Sequence, residues 1–176
     1  EENPSAPDVL RLGDGVETAL LAWTTTPWTL SGNTATAVAA DAEYALVEAT
    51  TKWHGRTRFI VAASLVDATL KGVPLEDSAE DGGEPQVLAT FPGSMVVGLE
   101  YQPLYESTEW EGVTPLVFVD GRAQEPTRGM TLPKRRVVPS DEVTTDEGTG
   151  VLHSAPAFGE ADHQMGREFD LMFLQP

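Results

Sequence analysis

The chain lacks cysteine, so disulfides, thiolate metal ligands and a cysteine nucleophile are excluded. It has no apolar run long enough to span a membrane, and its first residues lack the basic and apolar regions of a signal peptide. We expect no membrane partner. A cytoplasmic location is compatible with the absence of cysteine, although that absence does not show it. Basic residues are scarce, 11 against 28 acidic ones, giving a net charge of -17. Such a field repels polyanions, which argues against broad binding of a phosphate backbone and is otherwise explained by solubility.

Common catalytic motifs are also missing. There is no lysine-type phosphate loop and no Gly-x-Ser-x-Gly elbow, and Gly148-Thr149-Gly150 lacks the third glycine of a dinucleotide motif. The three histidines, His54, His153 and His163, do not have the spacing of metal ligands. The sequence therefore predicts no metal site.

The pattern of the chain indicates a mainly β protein with a few helices. With 40% hydrophobic and 22% charged residues, the 176-residue chain is expected to form one globular domain, 1–176. A mobile loop is expected at 76–84 and an irregular segment at 121–133. Helices are expected at 64–70, capped by Ser64, and at 159–169. Short strands at close spacing predict an α+β fold with a barrel-like β core and peripheral helices; they are expected at 9–12, 16–23, 34–40, 44–49, 57–62, 87–91, 113–119 and 151–153.

The most distinctive stretch is 23–33, which reads WTTTPWTLSGN. It lies between two apolar runs, so its hydroxyls and amide are placed at the edge of buried structure. Such groups donate and accept hydrogen bonds without charge, as a small polar pocket requires. In a strand, Thr24 and Thr26 would face one side and Thr25 the other, until Pro27 ends the ladder. An ordinary strand edge fits the same residues, because threonine is common in strands.

A second informative stretch runs from Gly148 to Asp162. A glycine pair precedes a strand that ends at His153, and Asp162 follows nine residues later at the expected start of a helix. The helix dipole favours a carboxylate there, so Asp162 is either a cap or a functional group. His153 is likewise either a core histidine or part of a site.

Together these stretches resemble one family, the editing domain (connective peptide 1) of isoleucyl-tRNA synthetase, a class I synthetase. The resemblance rests on 23–30 with Asn33 and on 148–162, and 98–105 and 138–141 also look like that family. The valyl and leucyl relatives typically have arginine and proline after two threonines, where this chain has Thr26 and Pro27; the valyl enzyme typically has lysine where this chain has His153. Ala161 departs from the family, which often has a second acid there.

The resemblance implies a closed β-barrel-like core and hydrolytic removal of valine from mischarged tRNA(Ile), with valyl-adenylate as a further substrate. It implies a bound ammonium at Asp162, a size-limiting wall at His153 and a water-mediated reaction. The implied catalytic residues are Thr25, Thr26, Asn33 and Asp162, and the implied substrate-binding residues are Thr24, Trp28, Gly150, His153, Ala155 and Asp162.

The resemblance also implies partners and the absence of a cofactor. The HIGH and KMSKS motifs of the synthetic site do not appear, so we expect an excised, monomeric editing domain that does not aminoacylate alone. ATP and magnesium would belong to that absent synthetic domain, and none is expected for editing. The expected partners are the remainder of a parent synthetase and the 3′-terminal adenosine of tRNA(Ile) carrying valine. The basic cluster Lys134-Arg135-Arg136 is either a contact to terminal nucleotides or a solvated turn.

Two alternatives remain open from the residues. One is a valyl-type editing domain, which would reject threonine. The other is a non-catalytic β module that binds a basic partner through its acidic surface. Comparing valine and threonine esters as substrates separates the first, and binding without hydrolysis indicates the second.

Overall fold

The computed structural model describes residues 7–52, 54–71 and 84–176. The chain divides into two compact units. The first unit comprises Glu1–Trp23, Val38–Val97 and Pro139–Leu152, and the second comprises Thr24–Ala37, Gly98–Val138 and His153–Pro176. The single domain expected over 1–176 stays a prediction. The helices in the described ranges are all too short or too polar to cross a membrane.

The described residues are mostly β with few helices, as the sequence predicts. The α-helices are α1 (Val66–Leu70) and α2 (Glu160–Glu168), and short 3-10 turns connect several elements. The strands are β1 (Thr18–Leu20), β2 (Ala35–Val38), β3 (Glu43–Thr51), β4 (Gly55–Ala62), β5 (Gln86–Pro92), β6 (Leu116–Val119), β7 (Arg122–Gln124), β8 (Arg136–Pro139), β9 (Val151–Ser154) and β10 (Met172–Phe173).

The first unit is built on a sheet of order β1-β4-β3-β5. β3 and β4 pair antiparallel from Tyr44↔Ala62 to Thr51↔Gly55, and β1 runs parallel to β4. Leu46, Val47 and Ile60 are almost fully buried, which explains why these β-branched and apolar runs form strands. The expected strand at 9–12 is wrong, because Asp8–Leu10 forms a 3-10 turn. The expected loop at 76–84 falls almost entirely outside the described residues.

The second unit contains a sheet of order β10-β6-β7. Asp120 and Gly121 join β6 to β7 with φ values of 49° and 72°, the left-handed pair that a two-residue hairpin requires. The segment 121–133, predicted to be irregular, begins with β7, and Asp120-Gly121 is a strong signal for that hairpin. The strand predicted at 113–119 is confirmed only in its second half.

A third sheet has the order β8-β2-β9. None of the three sheets formed by the described residues closes on itself, so the closed barrel implied by the resemblance is not confirmed. The strands predicted at 34–40 and 151–153 correspond to β2 and β9.

The two helices differ in how well the sequence predicted them. α1 begins one residue after Leu65, and Ser64 is not its cap, because the Ser64 hydroxyl donates to the Thr145 carbonyl at 2.9 Å. The cap expected at Ser64 is therefore wrong. α2 lies where a helix was expected, and it begins after Gly159 with no side-chain cap.

Close packing fixes α2 within the second unit. A side chain at Gly166 would meet Phe118 and Pro156 at 2.6 and 2.9 Å, so only glycine allows this approach. The ring of His163 lies edge-to-face against Phe118 and Phe173, with centroids 5.2 and 6.2 Å apart. Packing of these rings holds the first turn of α2, which carries Asp162.

Candidate functional site

The hydroxyl-rich stretch forms a 3-10 turn, Pro27–Gly32, in the second unit. Pro27 suits its first position, because proline has the required φ and no amide hydrogen to leave unsatisfied. The turn buries Thr29, whose hydroxyl lies 2.9 Å from the carbonyl oxygen of Thr26. Asn33 follows four residues after Thr29 and is also buried.

These two side chains hold the ring of His153 from opposite sides. Thr29 Oγ1 lies 3.0 Å from His153 Nε2, and Asn33 Nδ2 lies 2.8 Å from His153 Nδ1. His153 is 6% exposed at the end of β9. Both ring nitrogens therefore have protein partners, which fixes the plane of the ring.

The partners also determine which nitrogen carries the proton. An asparagine amide nitrogen can only donate, so Nδ1 of His153 accepts, and Nε2 of the neutral ring carries the hydrogen. Nε2 then donates to the Thr29 oxygen, while the Thr29 hydroxyl donates to the Thr26 carbonyl. Burial lowers the pKa of His153 below its usual value, although the nearby Asp162 carboxylate and Thr29 oppose that effect. The geometry and the pKa direction both describe a neutral imidazole.

The orientation of the Asn33 amide is fixed in turn by its surroundings. Nδ2 also donates to the Ala35 carbonyl at 2.8 Å, and Oδ1 accepts from the Tyr101 hydroxyl at 2.7 Å. A rotated amide would turn its oxygen toward the Ala35 carbonyl. The Asn33 carbonyl accepts from Arg135 Nε at 3.0 Å.

Asp162 lies in the first turn of α2 and is half-buried. Its Oδ2 accepts from the backbone amide of the buried Ala155 at 3.0 Å, which ties the helix start to the end of β9. Among the described residues Oδ1 makes no hydrogen bond and Asp162 makes no ion pair. One carboxylate oxygen therefore has capacity for a cationic group.

The structure brings together only part of the predicted set. Thr26, Asn33 and His153 are joined through Thr29 and the Asn33 amide. Ala155 is joined to Asp162, whose carboxylate lies near enough to His153 to favour its charged form. Thr24 joins this group through its hydroxyl, which accepts from the Thr26 amide at 3.0 Å. Thr25 is exposed and makes no hydrogen bond within the described ranges, and Trp28 is 72% exposed. Their predicted contacts to substrate stay predictions.

Gly150 belongs to the first unit, where the structure shows a backbone requirement. Its φ is +72°, and a side chain there would collide with Ala62. Its carbonyl accepts from the Tyr44 hydroxyl at 2.5 Å. These contacts explain why glycine stands at this position, and its expected contact to substrate stays a prediction.

The basic cluster is not a freely solvated turn. Arg135 is 7% exposed, and its Nη1 lies 2.9 Å from Glu106 Oε1. Arg136 donates to the Phe169 carbonyl, and Lys134 pairs with Glu100 at 2.6 Å while staying largely exposed. All three cations have partners within the protein. Lys134 is the most exposed of the three, so it is the one that could reach a phosphate.

Sequence reasoning missed Thr29 and Tyr101 as parts of the site. Thr29 lies inside the hydroxyl-rich stretch 23–33, so membership of that stretch is the signal that could have found it. Tyr101 lies 68 residues from Asn33 along the chain, and no local pattern marks that pairing. Among the described residues no cluster of three or more metal-ligating side chains occurs.

Solved structures identify the fold. The chain is similar to the editing domain of the P. knowlesi cytosolic leucyl-tRNA synthetase, with a TM-score of 0.58 and 14% identity over 86% of this chain and 51% of that one. It is similar to GlLeuRS-CP1 with the same TM-score of 0.58 and 17% identity, covering 89% of this chain and 46% of that chain. The fold is that of a class I synthetase editing domain.

Sequence relatives give the particular family. The chain is 36% identical over 175 residues to the isoleucine–tRNA ligase of Bdellovibrio bacteriovorus, covering 99% of this chain and 14% of that protein. It is 38% identical over 156 residues to the ligase of Nocardia farcinica, covering 89% and 12%. A scan of protein-family profiles gives no match. The chain belongs to the isoleucine–tRNA ligase family and spans about one eighth of the length of these relatives.

Proposed function

We propose that the chain hydrolyses the ester that joins valine to the 3′-terminal adenosine of tRNA(Ile), and that valyl-adenylate is a second substrate. One observation carries the proposal. A neutral, immobilised histidine is hydrogen-bonded to a hydroxyl-rich turn and lies near a carboxylate that keeps one oxygen open. Such a group of polar side chains suits a small amino acid ester and contains no evident nucleophile, so a bound water attacks.

The physical need for such a site follows from the small difference between the two amino acids. One missing methylene changes binding by about 1–3 kcal/mol, or roughly 10–200-fold, a limit for which isoleucine and valine are the usual illustration. A second site that admits only the smaller product and hydrolyses it removes the remaining errors.

Asp162 receives the substrate ammonium in this proposal. A unit-charge pair at about 4 Å is worth roughly 4 kcal/mol at an effective dielectric near 20, before desolvation is subtracted. The bond from the Ala155 amide to Oδ2 orients the carboxylate and leaves Oδ1 toward the ligand.

His153 forms the wall that limits side-chain size. Its ring cannot turn aside without breaking the contacts to Thr29 and Asn33, so the wall is rigid. Thr25 and Thr26 bind the ester carbonyl or position the water, and Thr24 assists. The ribose hydroxyl next to the ester assists the attack. Positioning of this kind lowers the barrier without an activated nucleophile.

The negative charge of the chain fits a partner that enters by one end only. At a net charge of -17 the chain is expected to bind whole tRNA weakly by itself. The remainder of a parent synthetase would hold the tRNA body, while the 3′ end enters the site. We propose that the isolated chain acts as a monomer without cofactor.

The test is hydrolysis of 3′-O-aminoacyl adenosines, which avoids the need to bind the whole tRNA. We expect release of adenosine from the valyl ester and little release from the isoleucyl ester. Equal rates for both esters above a no-protein control, or no acceleration of either, would contradict the proposal. A threonyl ester hydrolysed faster than the valyl ester would instead indicate editing of the valyl type.

A further inference from the structure

Tyr101 contacts the candidate site through the Asn33 side chain. Its hydroxyl donates to Asn33 Oδ1 at 2.7 Å within the second unit. Burial is the main cause that raises the pKa of Tyr101 above its usual value, so the hydroxyl keeps its proton and stays a donor. A permanent donor at this point binds the oxygen of the Asn33 amide and cannot bind its nitrogen, which is itself a donor.

We propose that Tyr101 is a positioning residue that selects the tautomer of His153 by locking the Asn33 amide in one orientation. This inference rests on the proposed function, because it assigns the device that keeps the specificity wall neutral. The Tyr101 hydroxyl holds Oδ1, Nδ2 is thereby turned to His153 Nδ1, and the ring must carry its hydrogen on Nε2.

The charged and titratable groups around this histidine are few in the described part of the chain. Asp162 favours a protonated ring, and Arg135, which holds the Asn33 carbonyl, is the nearby cation. Thr29 accepts from Nε2, and Tyr101 acts through Asn33. The Asn33 donor is the only one of these that opposes a hydrogen on Nδ1.

Removing the Tyr101 hydroxyl should therefore allow both tautomers of His153 to be populated. In Tyr101→Phe the amide loses its oxygen partner, and only the Ala35 carbonyl still holds Nδ2 in place. A fraction of the molecules should then have the rotated amide, whose Oδ1 faces Nδ1 of His153 and accepts a hydrogen from it. The attraction of Asp162 for a charged ring is then opposed by burial alone. We expect a mixture of tautomers and an upward shift of the His153 pKa by about one unit, the scale of one hydrogen bond.

The experiment is ¹⁵N NMR of the histidine side chains across a pH titration, in the 176-residue chain. His153→Gln assigns the signal, and Tyr105→Phe is the matched control, because it removes a hydroxyl from an exposed tyrosine in the same segment. The wild type and Tyr105→Phe should show Nδ1 as the unprotonated nitrogen. Asn33→Asp cannot donate to Nδ1 and should move the hydrogen to Nδ1. This variant serves as the positive control, because it shows that the ¹⁵N signals report a change in the hydrogen bond to Nδ1.

Activity gives a second readout that a purely structural loss would not mimic. Tyr101→Phe should lower the ratio of kcat/KM for the valyl ester to kcat/KM for the isoleucyl ester, because the ring of the wall is held less firmly, and the loss should grow as the pH falls and His153 becomes charged. An unchanged tautomer and pKa in Tyr101→Phe, while Asn33→Asp changes both, would overturn the inference. A changed tautomer in a chain whose wild type hydrolyses no ester would leave the inference standing and refute the proposed function.

Discussion

Two aspartates show how differently the units use a carboxylate. Asp14 in the first unit binds the guanidinium of Arg58 with both oxygens, and Arg58 also pairs with Glu48 at 3.0 Å. Asp162 in the second unit uses one oxygen for a backbone amide and has no cationic partner among the described residues. A carboxylate whose partners are complete contributes to the fold, whereas one with an open oxygen can take a ligand.

The same contrast extends to the groups around each acid. Arg56 and Arg58 of β4, Glu48 of β3 and Asp14, which precedes β1, form a charged cluster. The second unit contains a neutral network in which the donor and the acceptor of each hydrogen bond are determined; it comprises Thr29, Asn33, Tyr101 and His153. The ion pairs hold their partners by charge as well as by geometry, whereas the neutral network holds the His153 ring by the direction of its hydrogen bonds alone. The neutral network therefore suits a rigid, size-selective wall.

The largest expected effect comes from Asp162→Asn. The substitution keeps the shape and removes the charge that attracts the ammonium, so kcat/KM for the valyl ester should fall by about 100- to 1,000-fold. The control is Glu160→Gln in the same turn of α2, which should leave the rate unchanged. A wild-type rate in Asp162→Asn would end the distinction drawn between the two aspartates.

His153→Ala should follow in size. Opening the wall should allow the isoleucyl ester to be hydrolysed, with a loss of discrimination of about 10- to 200-fold. The measurement is the ratio of kcat/KM for the two esters in wild type and variant. Rejection of isoleucine at the wild-type level would remove His153 from the wall.

Gly150→Ala should affect the fold of the first unit. A left-handed backbone strains alanine by about 1–2 kcal/mol, and the collision with Ala62 adds to that. Gly13→Ala is the control, because Gly13 has φ +68° with open space around it and so reports the strain alone. The Tm from thermal unfolding should be highest for wild type, lower for Gly13→Ala and lowest for Gly150→Ala. An equal loss of Tm in both variants would show that Ala62 moves and that the collision costs nothing.

Asp14→Asn should give the smallest effect and should change stability, not hydrolysis. The hydrogen bond from Arg58 is the main cause that holds the pKa of Asp14 well below its usual value. An acid with a lowered pKa stabilises the fold above its unfolded-state pKa, and the stability is lost as pH falls through the folded-state value. Wild type should thus be the more stable at pH 7, and the difference in Tm should shrink in strong acid. A difference that stays constant with pH would contradict this assignment.

How much of this could be read from the sequence depended on the distance between the partners. The strands β3 and β4 and the helix α2 follow from local periodicity, and they are where they were expected. The pairing of Thr29 with His153 spans 124 residues, so local patterns named the two motifs, and only the family resemblance implied that they form one site. The burial of Arg135 and the hydroxyl of Tyr101 depend on tertiary packing, which no local pattern encodes. Ser64 was predicted to cap a helix, but its hydroxyl donates to the carbonyl of Thr145, which is distant in sequence.

The most direct test of the account is the rate at which the wild-type chain hydrolyses the valyl and isoleucyl esters of adenosine, measured side by side with Asp162→Asn. The account predicts fast release from the valyl ester, slow release from the isoleucyl ester, and loss of the valyl reaction in the variant. Equal hydrolysis of both esters by the wild type, or an undiminished valyl rate in Asp162→Asn, would contradict it.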